Sequence, residues 1–485
     1  MATLTIIGLG SGSADDLTRR AWRALEATPR LILRTRRHPC VPDLPRSAQA
    51  ESCDDLYEQY ARFEDVYNAI VDRVLSACQQ GDVAYAVPGD PTVGEATTWR
   101  LLSAAQAQGH HVELIHGLSF IEPSLRYAQV DAMNGLQIVD GLDVAAQHHP
   151  QINPDYPCLI GQVYSRDVAS DVKLTLMNQY ADDFEVVLIH GAGSDSPRVE
   201  RCPLYQIDRS KHISHLTTLY LPALGQRSSF EAFQEIIAHL RAPEGCPWDR
   251  KQTHESLRPY LLEETYEVLE AIDKGDWDEL ASELGDLLLQ VVLHTQIAID
   301  EGEFTMTDVL RRVSAKMIRR HPHVWGEVDV DDDSEQVKAN WEEIKRAERA
   351  AKGQAERGLL EGVNQAAPAL LVAYELTRKA AQVGFDWPDV EGVRAKAREE
   401  LAEALQAESS AEQVEELGDL LFVLVNWLRK LGEDDPESLL RRVNAKFVRR
   451  FGYVEQMARQ QGRDLATMTL AEMDALWDEG KRRGL

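Results

Sequence analysis

The segment Glu283-Leu284-Gly285-Asp286-Leu287-Leu288 decides the architecture of the C-terminal half, because the chain repeats it unchanged at 416–421. Three further stretches recur in the same order: the acidic run 263–267 at 399–403, the basic run 310–320 at 440–450, and the Trp-containing run 341–346 at 477–482. Four ordered matches indicate a tandem duplication of one unit. After Phe230 the chain has the apolar periodicity of amphipathic helices, so we predict that both copies are all-α.

Acidic side chains recur at helical spacing in each copy. Residues three apart lie on one face of a helix, so Glu264 and Glu267 form one carboxylate pair and Glu283 and Asp286 form another. If the two helices pack antiparallel, the four carboxylates converge among core leucines. Because like charges repel strongly in a poorly solvated interior, such a cluster requires a cation. All-oxygen ligands that also face phosphates favour Mg²⁺.

The alternative interpretation is a solvated, salt-bridged helix face in a purely structural scaffold. Two pairs per copy, repeated in register and interleaved with leucines, favour the metal site. The basic residues that follow would then hold phosphates, and their alternative role is to pair with acids on the helix exterior. These residues are Lys316, Arg319 and Arg320 in copy one and Lys446, Arg449 and Arg450 in copy two.

Glu-Glu-x-x-Glu followed by Glu-x-x-Asp resembles the signature of the MazG family of all-α nucleoside triphosphate pyrophosphohydrolases. Segments 245–257, 319–326 and 340–345 resemble its first repeat, and 383–387 resembles the entry to its second. The resemblance implies Mg²⁺-dependent cleavage of nucleoside triphosphates to NMP and pyrophosphate. It implies the metal ligands Glu264, Glu267, Glu283, Asp286, Glu400, Glu403, Glu416 and Asp419. Glu263 and Glu399 are then the candidate catalytic acids that orient water, with a salt-bridge role as the alternative.

The N-terminal part has a different texture. Short apolar runs at 4–7, 83–87, 112–115, 158–163 and 186–190 alternate with helical stretches, which predicts an α/β domain with a largely parallel sheet. Small-residue loops follow three of these strands. They carry Gly8, Gly10 and Gly12, then Pro88, Gly89 and Asp90, and finally Ser119. Glycines let a ligand approach the backbone, and loops at the carboxyl ends of such strands form ligand clefts.

These three loops resemble those of the tetrapyrrole methylase (precorrin methylase-like) family, which uses S-adenosylmethionine. Segments 163–174, 203–209 and 215–222 narrow the resemblance to YabN-type proteins, in which this domain precedes MazG. The resemblance implies that the seven loop residues line an S-adenosylmethionine cleft facing a tetrapyrrole or another methyl acceptor. Asp90 can equally cap a helix or close a turn. The alternative for the whole domain is a ligand-binding or assembly module without methyl transfer.

The expected organisation is therefore multidomain. An N-terminal α/β tetrapyrrole-methylase-like domain (1–225) precedes two all-α MazG-like helical units, 228–346 and 369–485, which the linker 347–368 joins. We expect copy two to be the catalytic one. Copy one carries additional Cys-Pro-Trp and His-Pro-His segments, whereas copy two lacks them and leaves a more open approach for a nucleotide.

Composition limits the partners. The 485-residue chain has a formal net charge of −28, which disfavours binding to nucleic acid or to a membrane surface. Its six cysteines are scattered without a Cys-x-x-Cys pair and indicate reduced thiols. The most apolar run, 420–428, is too short to span a bilayer. We therefore expect a cytoplasmic enzyme that acts on nucleoside triphosphates and assembles as a homodimer or a higher homo-oligomer.

Overall fold

A computed structural model describes residues 1–225, 227–330, 333–351 and 358–485, without the side chains of Glu335, Glu342 and Arg349. Within these residues the chain forms two compact units, Met1–Val309 and Leu310–Leu485. The expected linker includes 352–357, which lie outside the described residues. The domain boundaries inferred from the sequence stay predictions.

A five-stranded parallel sheet opens the first unit, in the order β3-β2-β4-β1-β5. Its strands are β1 (Thr3–Gly8), β2 (Arg30–Leu33), β3 (Glu51–Ser52), β4 (Val83–Val87) and β5 (His111–Ile115). The helices of this part are α1 (Arg19–Ala27), α2 (Asp54–Gln59), α3 (Phe63–Cys78) and α4 (Ala96–Ala107). Tyr85 of β4 packs with α3 and α4, whereas Ala84 and Ala86 pack with α1. Because β4 is buried on both faces, its sequence is a continuous apolar run.

A second five-stranded sheet follows, in the order β6-β7-β10-β8-β9. Its strands are β6 (Gln137–Asp140), β7 (Cys158–Gly161), β8 (Glu185–His190), β9 (Arg198–Pro203) and β10 (Thr217–Leu221), accompanied by α5 (Ile121–Ala128), α6 (Gly141–Ala145) and α7 (Arg166–Leu176). Only β6 and β7 pair in parallel; the other three pairs are antiparallel. The predicted parallel sheet therefore describes the first sheet and not the second. For β8 and β9 the physical reason is their short connection, because a parallel pair needs a long crossover.

The predicted strands agree with the structure to within about two residues. The largest difference is at β7, which ends at Gly161 although the apolar run continues to Val163. Gln162 adopts a φ of 58°, which is left-handed backbone and breaks the strand. The residue type does not predict this end of the strand, because Gln is neither a turn former nor a glycine.

After β10, all the regular elements in the described part of the chain are helices, which confirms the all-α prediction. The first unit contains α8 (Phe230–Arg241), α9 (Arg258–Lys274), α10 (Trp277–Glu301) and the start of α11 (Met306–Arg320). The second unit contains the rest of α11, then α12 (Pro322–Trp325), α13 (Ser334–Ala351), α14 (Ala369–Gln382), α15 (Val390–Gln406), α16 (Ser410–Lys430), α17 (Pro436–Gln460) and α18 (Leu470–Arg482). None of the helices among the described residues has the length and apolar character needed to cross a membrane.

Three glycine-containing loops meet at the carboxyl edge of the first sheet. A Cβ atom on Gly8 would lie 2.5 Å from the carbonyl oxygen of Gly89 and 2.7 Å from the amide nitrogen of Gly117. The amide of Gly89 in turn donates to the carbonyl of Gly10 at 2.8 Å. The loops therefore contact one another through main-chain atoms.

This packing predicts the effect of one methyl group. Gly8→Ala should lower the melting temperature of the first unit, because its Cβ meets backbone atoms that cannot move aside; the cost of such overpacking is about 2 kcal/mol. Gly285→Ala is the control, since nothing lies within 4 Å of a Cβ at that helical position. Scanning calorimetry measures both. An unchanged melting temperature for Gly8→Ala would contradict this account of the loops.

Candidate functional site

A helical hairpin gathers the acids of copy one. α9 ends at Lys274, and the φ of 67° at the capping residue Gly275 lets the chain turn. Asp276 caps the start of α10 by accepting from the Glu279 amide. The hairpin places carboxylate oxygens of Glu264, Glu267 and Glu283 within 4.8 Å of one another. The predicted convergence of the two acidic motifs is therefore present in the structure.

Burial and the repulsion between neighbouring carboxylates raise the pKa values of two acids in this cluster. Burial raises the pKa of Glu264, and the charges of Asp286, Glu267 and Glu263 raise it further. Burial and the neighbouring charges, Glu267 first, also raise the pKa of Glu283. Asp286 lies outside the group of three but acts on both carboxyls. A bound cation would relieve this repulsion, so the donor set fits Mg²⁺.

Gln290 belongs to the same cluster and was missed in the sequence. It is 5% exposed and forms a hydrogen bond with the Glu264 carboxylate. Its position four residues after Asp286, on the same face of α10, is the signal that identifies it. Its side-chain oxygen is buried without a hydrogen-bond partner among the residues described.

Copy two gathers a related set. Oxygens of Glu400, Glu416 and Asp419 lie within 4.8 Å of one another, and Glu400 is only 5% exposed. Burial raises the pKa of Glu416, and the charge of Glu403 raises it further. Glu403 thus stands just outside the group, as Asp286 does in copy one. Each hairpin therefore brings together three of its four predicted ligands and keeps the fourth within electrostatic reach.

A lysine distinguishes copy two. Lys396 forms ion pairs at 2.7 Å with both Glu399 and Glu400, one helical turn away. This contact supports the salt-bridge alternative for Glu399. The equivalent position of copy one, four residues before Glu264, is Tyr260. Lys396 was missed although its i,i+4 spacing to Glu400 is a recognisable signal.

The two basic clusters have different partners. In copy one, Arg319 and Arg320 both bind Glu348, at 2.6 and 2.7 Å, and Arg320 first and then Arg319 lower the pKa of that carboxyl to about 2. In copy two, Arg450 donates to the Leu485 carbonyl at 2.6 Å and lies over the Trp477 ring. Lys316, Lys446 and Arg449 are exposed and form no ion pair with any residue that the structure describes.

A cavity of about 600 Å³ lies over the glycine loops of the first unit. Its wall includes the predicted Gly10, Pro88, Gly89, Asp90 and Ser119. Gly8 and Gly12 are not among the lining residues. They lie at loop crossings, where a Cβ would meet the Gly89 or the Gly193 carbonyl oxygen at 2.5 Å.

The two polar loop residues at the cavity are held by local bonds. Asp90 accepts from the amide and hydroxyl of Thr92, from the amide of Gly117, and lies 2.9 Å from a ring nitrogen of His116. Burial opposes ionisation of Asp90, but these hydrogen bonds outweigh it and lower its pKa. Its geometry is that of a residue closing a turn. Ser119 donates from its amide and hydroxyl to Glu122.

One wall of the cavity was not anticipated. Arg34 forms a buried ion pair with Glu95 and lies over the rings of Tyr57 and Tyr67, 5.6 and 5.2 Å from their centroids. His38 is 4% exposed and reaches the Gly10 carbonyl with Nε2 at 3.1 Å. Burial lowers the pKa of His38 to about 4, so it is neutral and donates that bond.

Comparisons with known proteins agree with the two-part architecture. The family model of Tetrapyrrole (Corrin/Porphyrin) Methylases matches residues 3–208, and the MazG nucleotide pyrophosphohydrolase domain matches 252–325. The second match includes all four predicted ligands of copy one. Among solved structures, the uroporphyrin-III-C-methyltransferase of Thermus thermophilus has a TM-score of 0.37 and 17% identity, covering 46% of this chain and 96% of that one.

Three relatives match the chain over one full-length and two half-length alignments. The uncharacterized protein YabN of Bacillus subtilis strain 168 is 42% identical over 487 residues, 99% of this chain and 98% of YabN. The nucleoside triphosphate pyrophosphohydrolase/pyrophosphatase MazG of Thermotoga maritima is 47% identical, covering 52% of this chain and 95% of that protein. The nucleoside triphosphate pyrophosphohydrolase of Escherichia coli K12 is 44% identical, over 51% and 95%.

The raised pKa of Glu264 predicts how metal-free stability depends on pH. The folded state holds the proton of Glu264 to higher pH than the unfolded state, so stability is lost as pH rises through the folded-state pKa. Glu264→Gln should therefore raise the melting temperature of chelator-treated protein at pH 7 and leave it unchanged at pH 4. Glu270→Gln is the control, because that exposed acid pairs with Lys274. A destabilised Glu264→Gln at pH 7 would contradict the repulsion argument.

Proposed function

The chain belongs to the YabN-type family, in which a tetrapyrrole methylase domain is joined to a MazG region, and on that premise we propose Mg²⁺-dependent nucleoside triphosphate pyrophosphohydrolysis by its helical part. The products are NMP and pyrophosphate. The observation that carries the proposal is the crowding of carboxylates in both hairpins, whose ligand oxygens lie within 4.8 Å of one another. That arrangement is unfavourable without a divalent cation and suits a triphosphate chelate.

The acids and bases of each copy have complementary roles in this proposal. Mg²⁺ would be held in copy one by Glu264, Glu267, Glu283 and Asp286, and in copy two by Glu400, Glu403, Glu416 and Asp419. When bound, the ion supplies neutralisation of the triphosphate and polarisation of the scissile phosphate. In copy two, Lys446, Arg449 and Arg450 would hold the remaining phosphate charge. Glu263 and Glu399 remain candidates for orienting the attacking water.

Copy two is proposed as the catalytic copy. In copy one, Glu348 engages both Arg319 and Arg320, so these cations are neutralised before any phosphate arrives. Copy two has no acid at the equivalent position: seven residues after its repeated Trp stands Gly484. In copy two, Lys446 and Arg449 are exposed and form no ion pair with any residue that the structure describes. A polyphosphate therefore meets more available positive charge in copy two.

Single and double variants separate the two copies. Glu400→Gln should abolish Mg²⁺-dependent pyrophosphate release, because a neutral amide weakens the hold on the ion, whereas Glu264→Gln should leave most of it. The double variant should be inactive and folded. Steady-state pyrophosphate release is the measurement, with circular dichroism as the check on folding. A larger loss for Glu264→Gln would reverse the assignment of copies, and an active double variant would remove the metal assignment.

We further propose that the cavity of the first unit binds S-adenosylmethionine and that a tetrapyrrole or another acceptor receives the methyl group. Support comes from its position at the carboxyl edge of a parallel sheet and from its floor of main-chain atoms at Gly10 and Gly89. His38 donates a hydrogen bond to the Gly10 carbonyl and so fixes its position. The second candidate is a binding or assembly module with the same ligand and no methyl transfer.

Gly10→Val tests the cofactor cavity. A branched side chain would enter the space where ligand and backbone touch, and we expect S-adenosylmethionine binding to weaken by tenfold or more, about 1.4 kcal/mol, without a change in triphosphate hydrolysis. Gly109→Val is a matched control, because Gly109 has the same φ of 77° but lies outside the cavity with nothing within 4 Å of its Cβ. Calorimetric titration measures both variants. Equal losses in both would mean that backbone strain, and not the cavity, is responsible.

We also propose a cellular location and an oligomeric state. The protein would act in the cytoplasm as a homodimer or a higher homo-oligomer. Exposed apolar side chains on α16 and α17, including Leu421, Phe447 and Val448, support self-association.

A further inference from the structure

A third group of metal-ligating side chains lies apart from the two acidic hairpins. His254 precedes α9, Glu301 is the last residue of α10, and Glu303 follows two residues later. One ligand atom from each lies within 4.8 Å of the other two. None of the three belongs to the acidic motifs, and the triphosphate chemistry proposed above does not use them.

A second histidine orients the first. Nδ1 of His254 lies 2.8 Å from Nδ1 of His294, and the ring planes differ by only 6°. The centroids are 5.1 Å apart, which corresponds to the nitrogen separation plus the two ring radii, so the rings lie edge to edge in one plane. One Nδ1 therefore donates and the other accepts. This bond leaves Nε2 as the uncommitted ring nitrogen of His254.

We propose that His254, Glu301 and Glu303 bind one divalent transition-metal ion, with Zn²⁺ as the best match. One imidazole nitrogen and two carboxylates, with water in the fourth position, suit Zn²⁺ and do not suit Mg²⁺, which prefers oxygen alone. A ligating histidine typically donates its other N–H to an acceptor, and in the metal-bound form Nδ1–H of His254 would donate to Nδ1 of His294. The carboxyl end of α10, closed by Gly302 with a φ of 74°, adds negative potential at the site.

The bound ion would act as a brace. It would link the turn before α9 to the far end of α10, and these two helices carry the acids of copy one. A neighbouring link already joins the same regions: Arg241 binds Asp300 at 2.7 Å and donates to the carbonyl of Gln252. The metal would add a coordinated link beside this ion pair, so its effect should fall on stability rather than on hydrolysis.

Zn²⁺ titration of the full-length, chelator-treated protein tests the proposal. Millimolar Mg²⁺ is present throughout to occupy the carboxylate hairpins, and the variants below assign the bound Zn²⁺ to its ligands. We expect one Zn²⁺ per chain, a higher melting temperature on binding, and the intense visible absorption of a four-coordinate ion when Co²⁺ replaces Zn²⁺. His254→Gln should lose all three, whereas His239→Gln, at an exposed histidine on α8, should keep them.

Two further variants keep the test decisive. Glu301→Gln with Glu303→Gln changes exposed side chains only, so it should fold even if His254→Gln does not, and it should also lose the ion. His294→Leu should retain one site but weaken Zn²⁺ binding by about tenfold or more, since a missing partner of a ligating histidine has that effect. The proposal is overturned if no Zn²⁺ binds in the presence of Mg²⁺, or if the double variant binds it as tightly as the unchanged chain.

Discussion

Crowding of like charge is the constraint on which the helical part of this protein depends. Glu264, Glu267 and Glu283 are held together although their charges oppose the arrangement. The opposing force comes from apolar packing farther along the same helices, where Val292, Leu293 and Ile297 of α10 pack with α8. Apolar packing near the carboxyl end of α10 thus offsets the electrostatic repulsion among the carboxylates of the hairpin. Carboxyl groups with perturbed pKa values of this kind cluster at functional sites.

Much of this could be read from the sequence, because the decisive patterns are local. The acidic pairs follow from three-residue spacing, and the duplication follows from ordered matches. The second sheet could not be anticipated, since the antiparallel pairing of β8 with β9 is set by how a connection folds and not by strand composition. The sequence also predicts Gly8 and Gly12 on the cavity wall, and this prediction is wrong because it depends on contacts between distant loops. Proximity in sequence to Gly10 does not distinguish a glycine that touches ligand from one that touches another loop.

The missed residues divide by the range of their contacts. Lys396 and Gln290 lie four residues from a predicted ligand and could have been found by extending the helical spacing by one turn. Glu348 could not, because its contact with Arg319 and Arg320 depends on how α13 returns to α11. His294 is the same kind of case, since its partner His254 lies forty residues earlier in the chain. Long-range contacts of this kind distinguish the two copies, although their sequence motifs are alike.

The main-chain floor of the N-terminal cavity has an evolutionary consequence. At Gly10 and Gly89, which line the cavity and have positive φ, recognition depends on the path of the backbone, and few substitutions are tolerated. The opposite wall is made of side chains such as Tyr57, Phe63 and Tyr67, which can be exchanged without disturbing that path. A lineage can therefore alter what the wall selects while inheriting the floor intact. Among descendants of one such domain, the molecule recognised by the side-chain wall would change first, and the ligand recognised by the main-chain floor would change last.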